Sequence, residues 1–313
     1  MNHTPSSPLV STIIVSYNTK VWTCQAVCSV YTSHGFKPGE LEVIVVDNGS
    51  HDGTVAALRK LTKAPQVIES SQNLGFGGGN NLGACHAQGK YLLLLNSDAF
   101  LEPATLRRLV DELEQNETLL TVAPRLTYES GALQPSAGYL PTPLRVATWI
   151  LGKDVLVNKI PLLKTRVKMY HQRAGVWYEH NQTPEWLMGA CILMRRSEFE
   201  AVGGFDDQMF MYAEEVELYL RLKKHFPTRI LARYLANTTI IHIGGGSAGV
   251  DKARRLIQEF TGIIYLYQKH YPSLLWYIRG IIKLGVSLRV WAFTFLPGRE
   301  ADRRAYQKYL EQT

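Results

Sequence analysis

The sequence predicts an α/β protein: a doubly wound, mostly parallel sheet flanked by helices, followed by a C-terminal amphipathic helical extension. Three observations carry that reading. Apolar runs of strand length recur, and each ends abruptly in polar residues, as buried parallel strands do. Segments of helical spacing alternate with them across short connections, the pattern of parallel crossover units. The 313 residues, 46% hydrophobic and 19% charged, can bury a sizeable core and lack the composition of a disordered chain.

The elements follow in order. Leu9 to Ser16 is β-branched and apolar and predicts a strand, closed by the polar turn Tyr17-Asn18-Thr19. Lys20 to Tyr31 has helical spacing, with Val21, Cys24, Val27, Cys28 and Tyr31 on one side. Leu41 to Val46 is a second strand ending in Asp47-Asn48-Gly49-Ser50, and Asp52-Gly53-Thr54 opens a short helix to Leu61. Gln66 to Glu69 is a third strand, and the glycine-rich stretch 73–83 reads as a loop running into a helix that ends at Gln88. Lys90 to Leu95 is the most continuous apolar run, and it stops at Asn96-Ser97-Asp98. A helix over Pro103–Glu114 and a strand over Leu119–Val122 continue the alternation. Between Arg125 and Glu185 the periodicity fades, and prolines 135, 141, 143 and 161 punctuate an insertion expected to shape an acceptor pocket. Trp186 to Arg196 is again strand-like, Ser197 is expected to cap a short helix, and Gly203–Asp206 is a loop. A helix from about Tyr212 to His225 carries acidic residues in its first turn, which suits the helix dipole. Two short strands then end at Ile241-His242. The pattern divides the chain at 250, with 1–250 as one domain of two halves, 9–124 and 125–250, and 251–313 as a basic helical region.

Composition excludes several classes. The four cysteines (24, 28, 85 and 191) have neither the density nor the spacing of a disulfide scaffold or zinc site, and Cys24 and Cys28 read as small buried thiols. A reducing, cytoplasmic setting is expected, and Met1 to Pro8 has no signal-peptide pattern. The net charge is +7, and eleven Lys/Arg against five Asp/Glu after residue 250 hold nearly all of it. Such a tail suits nucleic acid or anionic membrane. Its apolar content favours the membrane, and no nucleic-acid partner is expected.

Taken singly, the polar residues are ambiguous. Asn96-Ser97-Asp98 lies where open sheets bind ligands, and Asp98 is a hard oxygen donor, but the tripeptide also suits a turn. Glycines 75–83 could let a backbone approach phosphate, or could serve a flexible loop. Asp47 could accept from a base N–H or cap a turn, and Trp186 could stack on a sugar or sit in the core. Glu214-Glu215 could be a solvated first turn, and His242 a packed histidine.

Together these stretches carry a resemblance. The order YN, VVDNGSHDGT, NLGFGGGNNLG, LLLLNSD, WLMGACILMRR, GGFDDQMFMYAEEVEL, HIGGGS over roughly residues 9–250 resembles the family 2 glycosyltransferases of the GT-A fold, most closely the bacterial rhamnosyltransferase-like branch. The resemblance implies a metal-dependent, inverting enzyme moving a sugar, L-rhamnose from dTDP-L-rhamnose, to a glycan or lipid-linked acceptor, with 9–124 as its nucleotide-sugar-binding half and 125–250 as its acceptor half. It places Ser16, Tyr17, Asn18, Asp47, Asn73, Gly75, Phe76, Gly77, Asn80, Asn96, Ser97 and Asp98 on the nucleotide-diphosphate sugar donor. Trp186, Gly189, Ala190 and Glu214 fall to the acceptor, Glu215 to the general base, and Asp98 with His242 to one divalent metal, Mg²⁺ or Mn²⁺. Two positions depart from the pattern: Asn96 stands for the first Asp of D-x-D, and Glu215 for an Asp. The Q-x-x-R-W motif of polymerising members is absent, which favours single-sugar addition.

Rival readings are a silent nucleotide-sugar-binding protein, to which Asn96 lends support, and a nucleotidyltransferase. The latter needs a pyrophosphate signature after the first strand, and Ser16-Tyr17-Asn18-Thr19 supplies none. In the tail, Arg279, Lys283 and Arg289 fall within one arc of about 120° at helical spacing. A basic stripe opposite aromatic and aliphatic residues predicts a helix lying in an anionic membrane interface, peripheral on the inner face of the plasma membrane.

Overall fold

The computed structural model describes residues 7–152, 167–244 and 252–312. Outside them lie Met1–Ser6, Pro161, and Gly245, Gly246 and Ser247 of the last motif. The strands are β1 (Val10–Ser16), β2 (Leu41–Asp47), β3 (Gln66–Glu69), β4 (Tyr91–Asn96), β5 (Ala99–Leu101), β6 (Leu119–Thr127), β7 (Leu133–Gln134), β8 (Ala137–Gly138), β9 (Trp186–Leu187), β10 (Cys191–Arg195) and β11 (Ile230–His242). The helices are α1 (Lys20–Tyr31), α2 (Thr54–Leu58), α3 (Gly75–Ala84), α4 (Thr105–Gln115), α5 (Pro143–Ile150), α6 (Arg196–Ala201), α7 (Glu214–His225), α8 (Lys252–His270), α9 (Leu275–Thr294) and α10 (Glu300–Gln312).

The main sheet runs β3-β2-β1-β4-β10-β6-β11-β5, with β7 on β6. β3, β2, β1 and β4 are parallel, β10 is inverted between β4 and β6, and β11 runs parallel to β6. The carboxyl ends of β1, β2, β4 and β11 therefore meet one edge, where the amino end of inverted β10 also arrives. That edge is where an open α/β sheet forms its crevice.

Both faces are covered, which explains the unbroken apolar runs. Ile13, Ile44, Leu92 and Leu94 enter one core, and their neighbours Ile14, Val43, Val45, Leu93 and Leu95 enter the other. Full burial of such a side chain contributes roughly 1.5–3 kcal/mol, so the central strands anchor the fold. The glycines of α3 have a packing reason. A Cβ on Gly79 would lie 2.7 Å from Val15, and one on Gly83 2.5 Å from Ile13.

Several expectations are corrected. Residues 75–80 are the first turns of α3 rather than a loop. α1 buries Thr23, Ala26, Val27 and Val30, while Val21 is 62% exposed and Cys28 is exposed. Thr23 turns inward because its hydroxyl bonds Ser16 Oγ at 2.8 Å. Ser197 lies inside α6, which starts at Arg196. The two strands expected after α7 are one, β11, whose register with β6 shifts between Leu235 and Thr239. Pro124 faces Leu235 there, and proline cannot donate to the ladder.

The C-terminal helices are fixed to this body. Phe260, Ile263, Leu266 and Tyr267 of α8 are fully buried in the core that also holds Leu92 and Leu94. On α9, Ile278, Ile282, Gly285 and Val286 face inward. Arg289 is not part of an exposed basic stripe: its guanidinium donates to Ile150 O at 2.7 Å. Trp276, Leu284, Leu288, Trp291 and Phe295, on the opposite side, are 49–75% exposed.

Candidate functional site

The crevice edge carries two groups of side chains. At one end, Asp47 closes β2, 3% exposed, with one carboxylate oxygen accepting from Ser50 N at 2.9 Å and the other, Oδ1, lacking a partner among the described residues. A buried carboxylate oxygen without a donor costs free energy unless a ligand N–H fills it. Asn48 donates to Gly75 O at 3.1 Å and to Asn73 Oδ1 at 3.3 Å, binding the end of β2 to the start of α3. Asn18, left-handed at φ 53°, accepts from His51 N at 2.8 Å and donates its own N–H to Ser50 Oγ at 2.9 Å. The loops after β1 and β2 are thus laced together beneath Tyr17.

Ser16 and Ser97 play a different part: they belong to a buried hydroxyl cluster in which Thr19 Oγ1 lies 3.1 Å from Ser16 Oγ and 3.0 Å from Ser97 Oγ. Within α3, Gly75 N donates to Asn73 Oδ1 at 2.9 Å and Phe76 N to Phe210 O at 3.3 Å, so its first two amides already have acceptors. Asn80 donates to Phe76 O at 2.9 Å. Gly77 leaves space for Phe205, whose β-carbon would sit 3.0 Å from an added Cβ.

Asp98 and His242 lie side by side. Asp98 is 4% exposed, its Oδ2 accepts Gly244 N at 3.2 Å, and its Oδ1 lies 3.3 Å from His242 Nε2. His242 Nδ1 sits 2.8 Å from Gln134 Oε1, and the amide oxygen can only accept, so Nδ1 carries the proton. Nε2 then presents its lone pair, toward which Asn96 Nδ2 points at 3.2 Å. A carboxylate oxygen and an imidazole lone pair are close enough to share one cation, since adjacent ligands of an octahedral ion lie about 3 Å apart. Gln134 supplies the outer hydrogen bond that metal-bound imidazoles use. The donor set fits a divalent ion completed from outside. Among the described residues no three His, Cys, Asp or Glu side chains form a metal cage.

The acidic pair opens α7 at the same edge. Tyr212 (φ 70°) and Ala213 (φ 69°) are both left-handed, strained for residues with a Cβ, and they aim the helix start. Glu214 is 4% exposed, and its Oε2 has no partner among the described residues. Burial, then the charge of Glu215, hold its pKa well above the carboxylate range. Burial also raises Glu215, but Gly189 N donates to its Oε1 at 3.3 Å and supports the anion. Glu214 is thus raised the further of the two, and the Gly189 hydrogen bond favours the anion on Glu215. The next residue, Ala190, accepts Asn96 N at 3.0 Å, so Glu215 and the Asn96–Asp98 turn stand at neighbouring points of the β4–β10 edge. A Cβ on Gly189 would lie 2.7 Å from Phe76, which brings α3 to the same place.

Trp186 is 3% exposed and donates Nε1 to Tyr170 O at 2.9 Å, a core placement, with part of its ring lining a cavity of about 240 Å³. Sequence reasoning missed Asn48, Ser50, Gln134, His171 and Glu259. Asn48 and Ser50 were within its reach, because they belong to the polar run that ends β2. No local pattern marks the others.

The chain is 28% identical over 267 residues, covering 80% of it and 83% of the relative, to an N-acetylglucosaminyl-diphospho-decaprenol L-rhamnosyltransferase of Mycobacterium tuberculosis. It is 27% identical over 192 residues, 59% of the chain and 54% of the relative, to the low-salt glycan biosynthesis hexosyltransferase Agl10 of Haloferax volcanii. A solved structure of the mannosyltransferase PcManGT from Pyrobaculum calidifontis, in complex with GDP-Man and Mn²⁺, superposes with a TM-score of 0.54 at 16% identity, over 98% of this chain and 86% of that one. That likeness shows the GT-A-type fold. The glycosyl transferase family 2 model matches residues 11–217, and the chain belongs to that family.

Proposed function

We propose that this enzyme is an inverting, metal-dependent transferase that moves a sugar, L-rhamnose from dTDP-L-rhamnose, to a hydroxyl of a surface glycan or lipid-linked acceptor. The observation that carries the reading is the placement of Glu215 beside the Asn96–Asp98 turn on one sheet edge. The relative named as an L-rhamnosyltransferase supports the choice of sugar.

Asp47 Oδ1 and the Asn18–Ser50 loops hold the nucleotide, and Asp98 with His242 hold a divalent ion. Bound there, the ion supplies positive charge to the diphosphate as it leaves. Glu215 takes the acceptor hydroxyl's proton as the new bond to the anomeric carbon forms and the bond to the diphosphate oxygen breaks. Attack opposite the leaving group inverts that carbon, so a β-linked donor gives an α-linked product. Glu214, protonated, donates a hydrogen bond to the acceptor. A panel of nucleotide sugars scored for metal-dependent release of nucleoside diphosphate tests this. Release from dTDP-L-rhamnose that is lost in EDTA is the expected result; turnover undiminished by EDTA, or none with any sugar, overturns it.

We also propose that the chain lies on the cytoplasmic face of an anionic membrane through the outer face of α9. No described helix is long and apolar enough to cross a membrane. The stripe from Trp276 to Phe295 is apolar and exposed, with Arg279 and Lys283 exposed beside it. Interfacial helices combine these features, and the mycobacterial relative's name includes a decaprenol lipid. Vesicle sedimentation that rises with anionic lipid and falls with salt is expected.

A further inference from the structure

His171 stands in the acceptor half, its backbone bridged antiparallel to Gly138. Its ring is walled by Tyr170 (centroids 4.3 Å), Trp149 (5.2 Å) and Trp186 (5.3 Å, edge-to-face). Its Nε2 meets Glu259 Oε1 at 2.6 Å, and the two side chains are 23% and 19% exposed. Among the described residues its Nδ1 has no hydrogen-bond partner. The ring also lines the cavity of about 240 Å³ with Pro135, Ala137, Gln172, Arg173 and Trp186.

Glu259 belongs to α8, and a second contact of that helix reaches the acidic pair. Gly262, one turn further on, packs so closely that a Cβ would lie 2.6 Å from Tyr212 O and 3.0 Å from Ala213 Cβ. These are the two left-handed residues that launch α7. One stripe of α8 therefore touches both the cavity wall and the base of the catalytic turn. The charges are coupled as well: Glu259 pushes Glu215 up and His171 pulls it down.

We propose that His171, oriented by Glu259, is an acceptor-positioning residue whose Nδ1 hydrogen-bonds a hydroxyl of the acceptor's sugar ring in this cavity. A carboxylate on Nε2 fixes that nitrogen as the donor and leaves Nδ1 for the ligand. A hydroxyl suits Nδ1 in either protonation state because it both donates and accepts. Trp186 beside it offers the apolar surface that a sugar ring's C–H face matches. The C-terminal helix is then part of the transfer site as well as of the core.

The inference rests on Glu215 being the base, and the test separates the two. The probe is an N-acetylglucosaminyl-diphosphate lipid, or whichever acceptor the wild type glycosylates in the donor panel, with its monodeoxy analogues. His171→Gln keeps a donor for Glu259 but has no Nδ1, and Glu259→Gln keeps shape without charge. Expected for His171→Gln is a rise in acceptor KM of about tenfold or more, the scale of one lost hydrogen bond to the substrate, with donor affinity and melting temperature unchanged. One deoxy analogue should lose affinity with the wild type and lose nothing further with His171→Gln, while Glu259→Gln shifts acceptor KM in the same direction. An unchanged acceptor KM, or penalties that add for every deoxy position, overturns the proposal. If His171→Gln melts early, the same deoxy pattern is read on Glu259→Gln alone, and additive penalties there overturn it. Should Glu215→Gln retain transfer, the assignment of the base fails; should Glu215→Gln be inactive while His171→Gln is indistinguishable from wild type, only this inference fails.

Discussion

The donor edge and the base corner of this enzyme are built on opposite principles. At the proposed donor edge, strand ends from β1, β2, β4 and β11 deliver Asn18, Asp47, Asp98 and His242, and hydrogen bonds among the strand-end loops and their neighbours on the sheet fix them. Asp47 holds Ser50, Asn18 holds His51, and Asn73 holds Gly75. At the proposed base corner much of the support comes from outside the sheet, on α8. Gly189 supports Glu215, Gly262 packs under Tyr212 and Ala213, and Lys269 at 2.8 Å and His270 at 2.9 Å reach Glu217. The first is a consequence of sheet topology. The second depends on α8 being docked, so it should be the more fragile of the two.

The largest expected effect is at the corner. Glu215→Gln preserves shape but cannot accept a proton, and loss of a general base typically costs ~10²–10⁴-fold in rate. Donor affinity should hold, because the proposed nucleotide site lies at the other end; stopped transfer assays and calorimetry with dTDP-L-rhamnose measure both. Burial raises Glu215, so the acid limb of the wild-type rate profile should lie above the ordinary glutamate range. The titratable neighbours are Glu214 on the same helix, Glu259 on α8, and His171. Near-full transfer by Glu215→Gln, with Glu214→Gln the crippled variant, reverses the assignment.

Next comes the clamp behind the corner. Glu217 has no side-chain exposure and is bound by Arg221 at 2.6 Å, Lys269 and His270. Burial pushes its pKa up, but Arg221 and the other cations outweigh that and hold it below the usual range. Glu217→Ala leaves the part-buried Arg221 without its carboxylate, while Lys269 keeps Asp206, and should destabilise by roughly 1.5–3 kcal/mol in denaturant melts. Because the folded pKa is depressed, the clamp's contribution is present above the unfolded glutamate pKa and disappears as pH falls through the folded one. A Glu217→Ala protein as stable as wild type at pH 7 would mean that α8 docks through its apolar face alone.

At the donor edge the expected effect is smaller and falls on affinity. Gln134→Ala removes the acceptor that fixes the His242 tautomer and should weaken Mn²⁺ binding about 10–100-fold while leaving the melting temperature near wild type. A calorimetric Mn²⁺ titration in the presence of nucleoside diphosphate reads it. Unchanged affinity would remove His242 from the metal site.

The same contrast explains what the sequence disclosed. The sheet and its ligand edge were legible because each strand is a contiguous apolar run with a contiguous polar end; β4 and its Asn-Ser-Asp are the clearest case. The acidic pair was legible as a motif. Its supports were not, since nothing local in Tyr170-His171 or in α8 announces that Glu259 meets His171 and that Gly262 packs on the start of α7 about fifty residues earlier. The direction of α9 was misjudged for a related reason. A helix apolar on two sides has no single periodic face, so the docking of Arg289 onto Ile150 could not be read from spacing.

The smallest effect falls on stability, and it bears on the charge state of the acidic pair. Glu214 is buried, its Oε2 lacks a partner, and its pKa is raised well above that of an exposed glutamate. In the unfolded chain the same group ionises in the ordinary range. Between the two values the folded protein binds the extra proton, so stability falls as pH rises through that window. Glu214→Gln cannot ionise in either state and escapes that loss. Its melting temperature should match wild type near pH 4 and exceed it progressively toward pH 8. A gain of ~1 kcal/mol would read as about 2 °C in a chain of this size, within reach of paired calorimetric scans. A constant offset at every pH would show that Glu214 ionises normally, and the base assignment would then lose its electrostatic argument and stand on the Gly189 hydrogen bond alone.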